Sequence, residues 1–386
     1  MKTNFKHAII AATALLLGFS SCSNDDANAP ADDLPTQSVS VRILVPSTYA
    51  PEATAVGVTP TITGNTNVFF VGGGVILEVG TLNAAEAAAG KTFTDVPGAV
   101  SDVIIVANGG TVATSPALST IVRNDPLSKL NETLFLQASQ TNAQTAVNLF
   151  GRAPLTDGAG VNAGKKVAAV TLVPAISRIE IGEIKADAGA AVKLKSFKLT
   201  GIYINNTYTQ LGIDYVTKPT LATEILNYDK ANAKWIDGNY PARFKDEWAN
   251  ASVTDATSFK PAGTDKWSYF VLPVKASANG TEISSVQQGA VPHIVFKIED
   301  IDYDDAAYQD VAGPYFITIK NLKVGGADLT ELAPGKVYSL NGGVAGDPIL
   351  IGGGNLSPDP ETNATEEVVV SATVTPWEGF DVDPVF

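Results

Sequence analysis

The most constraining feature of this chain is the alternation of apolar and polar residues over short segments. The run SVSVRILV at residues 38–45 has an apolar residue at every second position from 39 onward. Successive side chains of a strand point to opposite faces of a sheet, so the run predicts a strand with one buried face. The residues on that face are Val39, Val41, Ile43 and Val45.

Comparable runs, separated by turn-forming residues, continue along the sequence. The 34 Gly and 22 Pro supply the turns. Further strands are predicted at Asn67–Val71, Gly74–Val79, Val103–Ala107, Asn131–Ala138, Val167–Pro174, Ser177–Ile184, Ser196–Asn205, Trp267–Val274, His293–Glu299, Pro314–Leu322, Lys336–Leu340 and Glu366–Thr375. Many short strands with few helical patterns predict an all-β fold of two β-sandwich domains.

Two short helices are expected to interrupt the strands. Asn83 can cap a helix over residues 84–89, with Glu86 at the capping-box position. A second helix is predicted over residues 115–122, because a Pro occupies its first helical position.

A change in composition marks the predicted domain boundary. Residues 150–166 are rich in Gly, Asn, Asp and Ala, which is typical of a linker. We therefore predict an N-terminal sandwich over residues 38–165 and a C-terminal sandwich over residues 166–386. Residues 214–266 show no clear periodicity and are predicted to form long loops.

The charged and reactive residues exclude several classes of function. The chain has 26 basic and 40 acidic residues, and a net charge of −14 disfavours nucleic acid as a partner. It has one Cys and two His, so it is poorly equipped for nucleophilic or zinc catalysis. We expect no catalytic residue, no cofactor and no metal site.

The first 22 residues have the pattern of a lipoprotein signal. Lys2 and Lys6 precede an apolar stretch over residues 8–19 that is too short to span a bilayer, and FSSC follows at residues 19–22. Small residues before a Cys resemble a lipobox, which implies that Cys22 is acylated and begins the mature chain. The alternative is an ordinary secretory signal with an incidental Cys.

Residues 23–37 are predicted to form a flexible tether, because their Asn, Ala, Asp and Pro cannot build a core. The pair Asp25-Asp26 resembles the surface-export signal of lipoproteins in some Gram-negative anaerobes, although two acidic residues also occur by chance in such a linker. The prediction is therefore an outer-membrane lipoprotein at the cell surface.

Several pieces of sequence occur in an order that is characteristic of one family. They are FSSC at 19–22, the alternating strand at 39–45, VIIVANGG at 103–110, VPAISRIEI at 173–181, LTGIYINN at 199–206, PGKVY at 334–338 and ATVTPW at 372–377. In this order they resemble the fimbrillins, the subunits of type V pili.

The resemblance implies two transthyretin-like β-sandwich domains and a structural, non-enzymatic role in fimbriae. It implies other fimbrial subunits as partners, the outer membrane through the lipid anchor, and a host or bacterial surface ligand. It also implies assembly by strand exchange, in which a protease removes the first strand and the C-terminal strand of another subunit fills the groove.

Two segments of matching pattern are the expected participants in that exchange. One is the apolar row of the first strand, and the other is a donor strand over residues 366–377. The donor residues are Val368, Val370, Ala372, Val374 and Trp377. From the pattern alone both segments are ordinary strands of one monomer, and the resemblance is what favours exchange.

The chain departs from the family in the loop after the first strand. Family members that mature usually carry an Arg there, where an arginine-specific protease cuts. Residues 46–64 contain no basic residue, and Arg42 lies within the strand. Either another protease cuts this loop, or the subunit keeps its first strand and terminates or anchors the fibre.

Two other readings involve ligands. A surface carbohydrate-binding lipoprotein is the alternative function, with an aromatic platform formed by Trp235, Trp248, Trp267, Tyr228 and Tyr240. The run EDIDYDD at residues 299–305 lacks the Gly and Glu of an EF-hand loop and is predicted to be a solvated acidic loop.

Overall fold

The computed structural model of the chain places most of the predicted strands. It describes residues 35–44, 62–63, 66–109, 114–139, 147–205, 207–215, 220–221, 228–229, 234–235, 241–260, 266–275, 292–304, 306–319, 322–324, 327–329, 331–342, 347–360 and 371–376. The signal segment, Cys22 and the predicted tether up to residue 34 lie outside the described residues.

Eleven strands precede residue 175 in the described part of the chain. They are β1 (Thr36–Leu44), β2 (Thr66–Gly72), β3 (Val75–Leu82), β4 (Lys91–Pro97), β5 (Asp102–Ala107), β6 (Thr114–Ser115), β7 (Leu134–Leu136), β8 (Leu149–Pro154), β9 (Thr156–Asp157), β10 (Lys166–Thr171) and β11 (Val173–Pro174).

Most of these strands form two facing sheets. One sheet has the order β4-β1-β10-β9 and the other has the order β11-β8-β5-β2-β3. Phe93 of β4 meets Phe70 of β2 edge to face, with ring centroids 5.1 Å apart. Gly151 of β8 lies so close to β10 that a Cβ would stand 2.8 Å from Cγ1 of Val170. The two sheets therefore enclose one core, as the prediction of a sandwich requires.

The helices in the described part of the chain are short. The capped helix is confirmed as α1 (Ala84–Ala89), in which Asn83 accepts from the Glu86 N–H and Glu86 accepts from the Asn83 N–H. The second predicted helix is wrong, because residues 115–122 contain only a single 3₁₀ turn, and a helix α2 (Leu127–Asn131) follows instead. The 3₁₀ turns are Leu118–Thr120, Gln137–Ser139, Gly160–Asn162, Ala242–Phe244 and Gly353–Asn355. No helix in the described ranges is long and apolar enough to cross a membrane.

The remaining strands begin at residue 177. They are β12 (Ser177–Ile181), β13 (Ile184–Ala186), β14 (Leu194–Asn205), β15 (Tyr208–Gly212), β16 (Thr220–Leu221), β17 (Tyr228–Asp229), β18 (Lys234–Trp235), β19 (Lys245–Thr254), β20 (Trp267–Val271), β21 (Val274–Lys275), β22 (His293–Tyr303), β23 (Tyr315–Ile319), β24 (Lys323–Val324), β25 (Ala327–Asp328), β26 (Glu331–Leu332), β27 (Lys336–Asn341), β28 (Ile349–Ile351) and β29 (Ser371–Pro376).

The second half contains another pair of four-stranded sheets. Their orders are β20-β12-β27-β29 and β19-β14-β22-β23. Trp248 of β19 packs on Trp267 of β20, with ring centroids 5.5 Å apart. The Tyr269 hydroxyl of β20 donates to the Asp246 carboxylate of β19 at 2.6 Å, which bridges the sheets at one edge of the core. The prediction of an all-β sandwich fold with few short helices is confirmed.

A separate sheet of order β16-β15-β7-β6 joins the two halves of the chain. Tyr215, just after β15, packs against Phe135 and Phe150 with ring centroids 6.2 and 5.6 Å apart. Burial raises the pKa of the Tyr215 phenol, which keeps it neutral. Gln137 Nε2 donates to the Phe270 carbonyl at 2.7 Å. The halves therefore share backbone pairing and buried contacts.

The domain boundary at residue 166 stays a prediction, and the strand pairings around this residue bear on where the first sandwich ends. β10 begins at Lys166 but pairs in parallel with β1, and β11 pairs with β8. The predicted linker over residues 150–166 is wrong, since most of β8, all of β9 and a 3₁₀ turn lie within it. Its glycines serve tight turns instead: Gly160 and Gly164 have φ of +59° and +79°, which favours glycine. We propose that the first sandwich extends to Pro174.

The long loops predicted over residues 214–266 also need correction. They contain β19, a strand of ten residues that forms one edge of its sheet. The sequence KDEWANASVT does not show the apolar alternation that predicts a strand, because an edge strand needs fewer apolar residues than a central one.

Candidate functional site

The candidate site is built around β1, which is a central strand. β1 pairs in parallel with β10 on one side and antiparallel with β4 on the other. In the register with β10, Val41 stands opposite Ala168 and Ile43 stands opposite Val170. Loss of β1 would therefore open a slot between two strands of the same sheet.

The apolar row of β1 lies in the core as the alternation predicted. Val39 and Val41 are fully buried and Ile43 is 7% exposed, whereas the intervening residues of the strand are only partly buried. Val45, the fourth residue of the predicted row, lies outside the described residues. Ala168 and Val170 are also fully buried, so they would form part of the wall of the slot.

Both ends of β1 are held by backbone contacts. At its start, the Gly98 N–H donates to the Pro35 carbonyl at 2.6 Å, and at its end the Leu172 N–H donates to the Leu44 carbonyl at 3.3 Å. Gly90 follows α1 with φ of +81°, and a Cβ there would stand 3.2 Å from the Val41 carbonyl. Glycine therefore lets α1 end directly against the strand.

Asn108 fixes the chain where it returns from the loop after β1. Its side chain is fully buried, and its Oδ1 accepts from the Thr63 N–H at 2.8 Å. Its Nδ2 donates to the Val147 carbonyl at 2.7 Å, and its φ is +62°. This contact joins the segment after the loop to the strand region before β8. The sequence contains the residue in its VIIVANGG piece but gives no signal of this role.

We expect Asn108→Ala to lower the free energy of unfolding by roughly 2–4 kcal/mol. The buried Val147 carbonyl and the Thr63 N–H lose their side-chain partner, and Ala is strained at positive φ. The matched control is Asn124→Ala, because Asn124 is exposed and has φ of +70° without a comparable buried contact. The control should cost only about 1–2 kcal/mol for the left-handed backbone. Equal losses in denaturant titrations would show that the buried hydrogen bonds do not matter.

The second participant, the predicted donor strand, is observed in part as β29. It is an edge strand and pairs antiparallel with β27, so that Ala372 stands opposite Leu340 and Val374 opposite Tyr338. Leu340 and Tyr338 are buried in the core of the second half. Val368, Val370 and Trp377 lie outside the described residues. An edge strand is hydrogen-bonded to only one neighbouring strand, so its departure from the sheet breaks fewer hydrogen bonds than the departure of a central strand. This property suits a strand that is exchanged between subunits.

Two of the aromatic residues predicted as a sugar platform, Trp248 and Trp267, pack against each other. Trp267 is 5% exposed, and it packs with Trp248 and Phe259 at centroid distances of 5.5 and 5.6 Å. The rings therefore fill the space between β19 and β20. Tyr228 and Trp235 pair across β17 and β18, and Tyr240 lies outside the described residues.

The acidic run at residues 299–305 pairs with lysines. Asp302 lies 3.0 Å from Lys195 Nζ and Asp300 lies 2.6 Å from Lys198 Nζ. The hydrogen bond that Lys195 donates to Asp302 is the main cause that raises the pKa of Lys195, and the negative charges of nearby carboxylates add to it. Within the described ranges, no three His, Cys, Asp or Glu side chains gather where they could hold a metal ion.

A buried ionic cluster was not predicted from the sequence. The Glu180 carboxylate of β12 accepts hydrogen bonds from Arg178, from the Ser339 hydroxyl at 2.6 Å and from Lys266 at 3.4 Å. The side chains of Glu180 and Arg178 are 3% and 8% exposed. The sequence feature that could have indicated this cluster is the pair of opposite charges at alternate positions of the strand SRIEI. β12 lies between β20 and β27, so both charges are in the interior of a sheet.

Comparison with solved structures finds this fold in a fimbrilin and in candidate cell adhesion proteins. A candidate cell adhesion protein from Bacteroides eggerthii is 14% identical, with a TM-score of 0.57, and the match covers 90% of this chain and 98% of that chain. A fimbrilin from Porphyromonas gingivalis is 12% identical, with a TM-score of 0.53, and the match covers 89% and 99%. A candidate cell adhesion protein from Parabacteroides distasonis is 16% identical, with a TM-score of 0.52, and the match covers 89% and 97%.

No family model matches the chain, and no curated protein sequence matches it either. The likeness to solved structures is at the level of the fold, at sequence identities of 12–16%. The predicted resemblance is therefore confirmed in that the chain has the fold of fimbrilins and of candidate cell adhesion proteins, over almost the full length of both.

Proposed function

We propose that this chain is a structural subunit of cell-surface fimbriae, which assembles by strand exchange and supports adhesion without enzymatic activity. The observation that carries the proposal is the position of β1, whose buried row lies between two strands of one sheet. The shared fold with a fimbrilin and with candidate cell adhesion proteins supports the same function.

The apolar row of β1 indicates how large the driving force for assembly is. Burying Val39, Val41 and Ile43 contributes roughly 1.5–3 kcal/mol for each side chain, and loss of β1 would forfeit this contribution. A strand from another copy restores it and also pairs with the backbone of β4 and β10. The donor is the strand over residues 366–377, which the sequence pattern matches to β1.

Export and anchoring complete the proposal. The signal segment and Cys22 direct the chain to the outer membrane as a lipoprotein, and the other fimbrial subunits are its partners there. Processing in the loop after β1 requires a protease that accepts non-basic residues, since residues 46–64 contain no Lys or Arg. A subunit that keeps β1 terminates or anchors the fibre.

Electrophoresis of unboiled surface protein tests this function. A strand buried in a neighbouring sandwich is released slowly, so detergent without boiling should leave a ladder of multiples of the subunit. Boiling should reduce the ladder to one band. A single subunit band before boiling, at every protein concentration, would contradict the proposal.

A further inference from the structure

One end of the first sandwich is distinguished by its position relative to the predicted tether. The chain enters β1 at Pro35, and the turns that surround this point come from four connections. The β4–β5 turn binds Pro35 through Gly98, and Gly72 at the β2–β3 turn packs on the Ala99 carbonyl. β10 runs parallel to β1, so the loop over 158–165 projects at the same end. The loop over 122–125 bonds to the β2–β3 hairpin.

We call this surface the tether end and define it by residues 73–74, 98–99, 122–125 and 158–165. Its tips are short and mostly uncharged: they read GG at 73–74, GA at 98–99 and AGVNAG at 159–164. Val161 is 80% exposed and Val122 is 54% exposed. These are two of the four large apolar side chains that are exposed in the described part of the chain.

The tether end carries no net negative charge, although the chain carries −14: its charged residues are Arg123, Asp125 and Lys165. The neighbouring ion pairs are Lys166–Asp157 at 2.7 Å, Lys129–Asp125 at 2.7 Å, Arg152–Asp102 at 3.1 Å and Arg123–Glu78 at 4.0 Å. A surface without net negative charge and with protruding valines approaches an anionic lipid surface with less repulsion than the acidic remainder of the chain would meet.

We propose that the tether end rests on the lipid surface to which Cys22 is anchored, with Val122 and Val161 at the level of the headgroups. The inference rests on the lipid anchor of the proposed function. Twelve residues separate Cys22 from Pro35, and twelve residues of linker composition would span roughly 20 Å. A contact that is weak by itself is then favoured by the high effective concentration of the surface.

The test uses the full lipidated chain in vesicles of phosphatidylethanolamine and phosphatidylglycerol that contain a spin-labelled phospholipid. Cys22 is the one cysteine of the sequence, so an introduced thiol carries the fluorophore alone once Cys22 is acylated. The test positions are Val161→Cys and Val122→Cys. The controls are Tyr308→Cys and Leu350→Cys, at residues that are 45% and 43% exposed and lie outside the tether end.

The lipid label should quench the fluorophore at residues 161 and 122 roughly threefold more than at the controls, because an interfacial side chain enters about 5–10 Å into the headgroup region. Val161→Asp should reduce quenching at residue 122 to the control level. Equal quenching at all four positions would overturn the proposal. Quenching that increases with the protein concentration and occurs without spin-labelled lipid would also contradict the proposal. It would indicate that this surface contacts another subunit.

The test also separates this inference from the function on which it rests. Protein that does not float with the vesicles would refute the lipid anchor and with it the membrane contact. A ladder in unboiled samples together with equal quenching at all positions would be consistent with the fimbrial function. That result would refute only the proposed contact between the tether end and the lipid surface.

Discussion

Glu180→Ala is expected to destabilise the chain by roughly 3–5 kcal/mol, because it leaves charges buried without their partner. The side chain of Glu180 is 3% exposed, and those of Arg178 and Lys266 are 8% and 15% exposed. The Ser339 hydroxyl would also lose its acceptor at 2.6 Å. The measurement is the free energy of unfolding from a urea titration.

The matched control for this variant is Glu183→Ala. Glu183 lies three residues later, and it is also paired, with Lys260 at 3.2 Å and with the Ser258 hydroxyl at 2.7 Å. Its side chain is 33% exposed, so its loss should cost no more than about 1 kcal/mol. Equal effects of the two variants would mean that the cluster around Glu180 is not the desolvated network that the structure describes.

Val370→Asp is expected to abolish the detergent-resistant ladder. The residue belongs by its two-residue spacing to the row of Ala372 and Val374, which stand opposite buried residues of β27. A donor strand with Asp in this row would place an unpaired carboxylate in an apolar groove, which costs several kcal/mol. A cost of about 4 kcal/mol corresponds to roughly a thousandfold loss of affinity.

The neighbouring residue provides a close control. Val369→Asp makes the same chemical change on the opposite face of the strand, and it should leave the ladder in place. The monomer of both variants should unfold within about 1 kcal/mol of the parent, because the described pairing with β27 begins at Ser371. Loss of the folded monomer in Val370→Asp would instead make the segment an ordinary part of the core.

The sequence predicted best those strands that have one buried face and one exposed face. β1 alternates because one face meets the core while the other is partly exposed, and this pattern located Val39 and Val41 correctly. The capping box is a local hydrogen-bond pattern, so the four residues from Asn83 to Glu86 were enough to predict the start of α1.

The errors arose where a segment's environment is set by residues far away in sequence. Glycines over residues 158–164 were interpreted as a linker because composition does not distinguish a linker from tight turns between paired strands. β10 pairs with β1 across most of the first half, and no local signal records such a partner. The same reason hides the cluster around Glu180, which joins β12, β27 and the residue before β20.

The candidate site follows the same division. Sequence predicted the apolar rows of both strands, since each row is a property of one segment. It did not predict that β1 is central while β29 is at an edge, because position in a sheet depends on every other strand. In the proposed exchange, the central position of β1 would leave a slot when β1 is lost, and the edge position of β29 would let it pair with another chain.

The central claim is that the C-terminal strand of one copy occupies the slot of β1 in another, and disulfide trapping tests it most directly. Two chains without Cys22 are mixed during assembly, one with Val370→Cys and the other with Ala168→Cys or Val170→Cys. Residues 168 and 170 flank β1 opposite Val41 and Ile43. A disulfide forms only when the Cα atoms approach within about 4.4–6.8 Å, so the pairing reports direct contact. The account predicts a disulfide between different chains at one of the two slot positions, and only in the assembled fibre. Assembled fibres in which Val370→Cys joins neither slot position would contradict it.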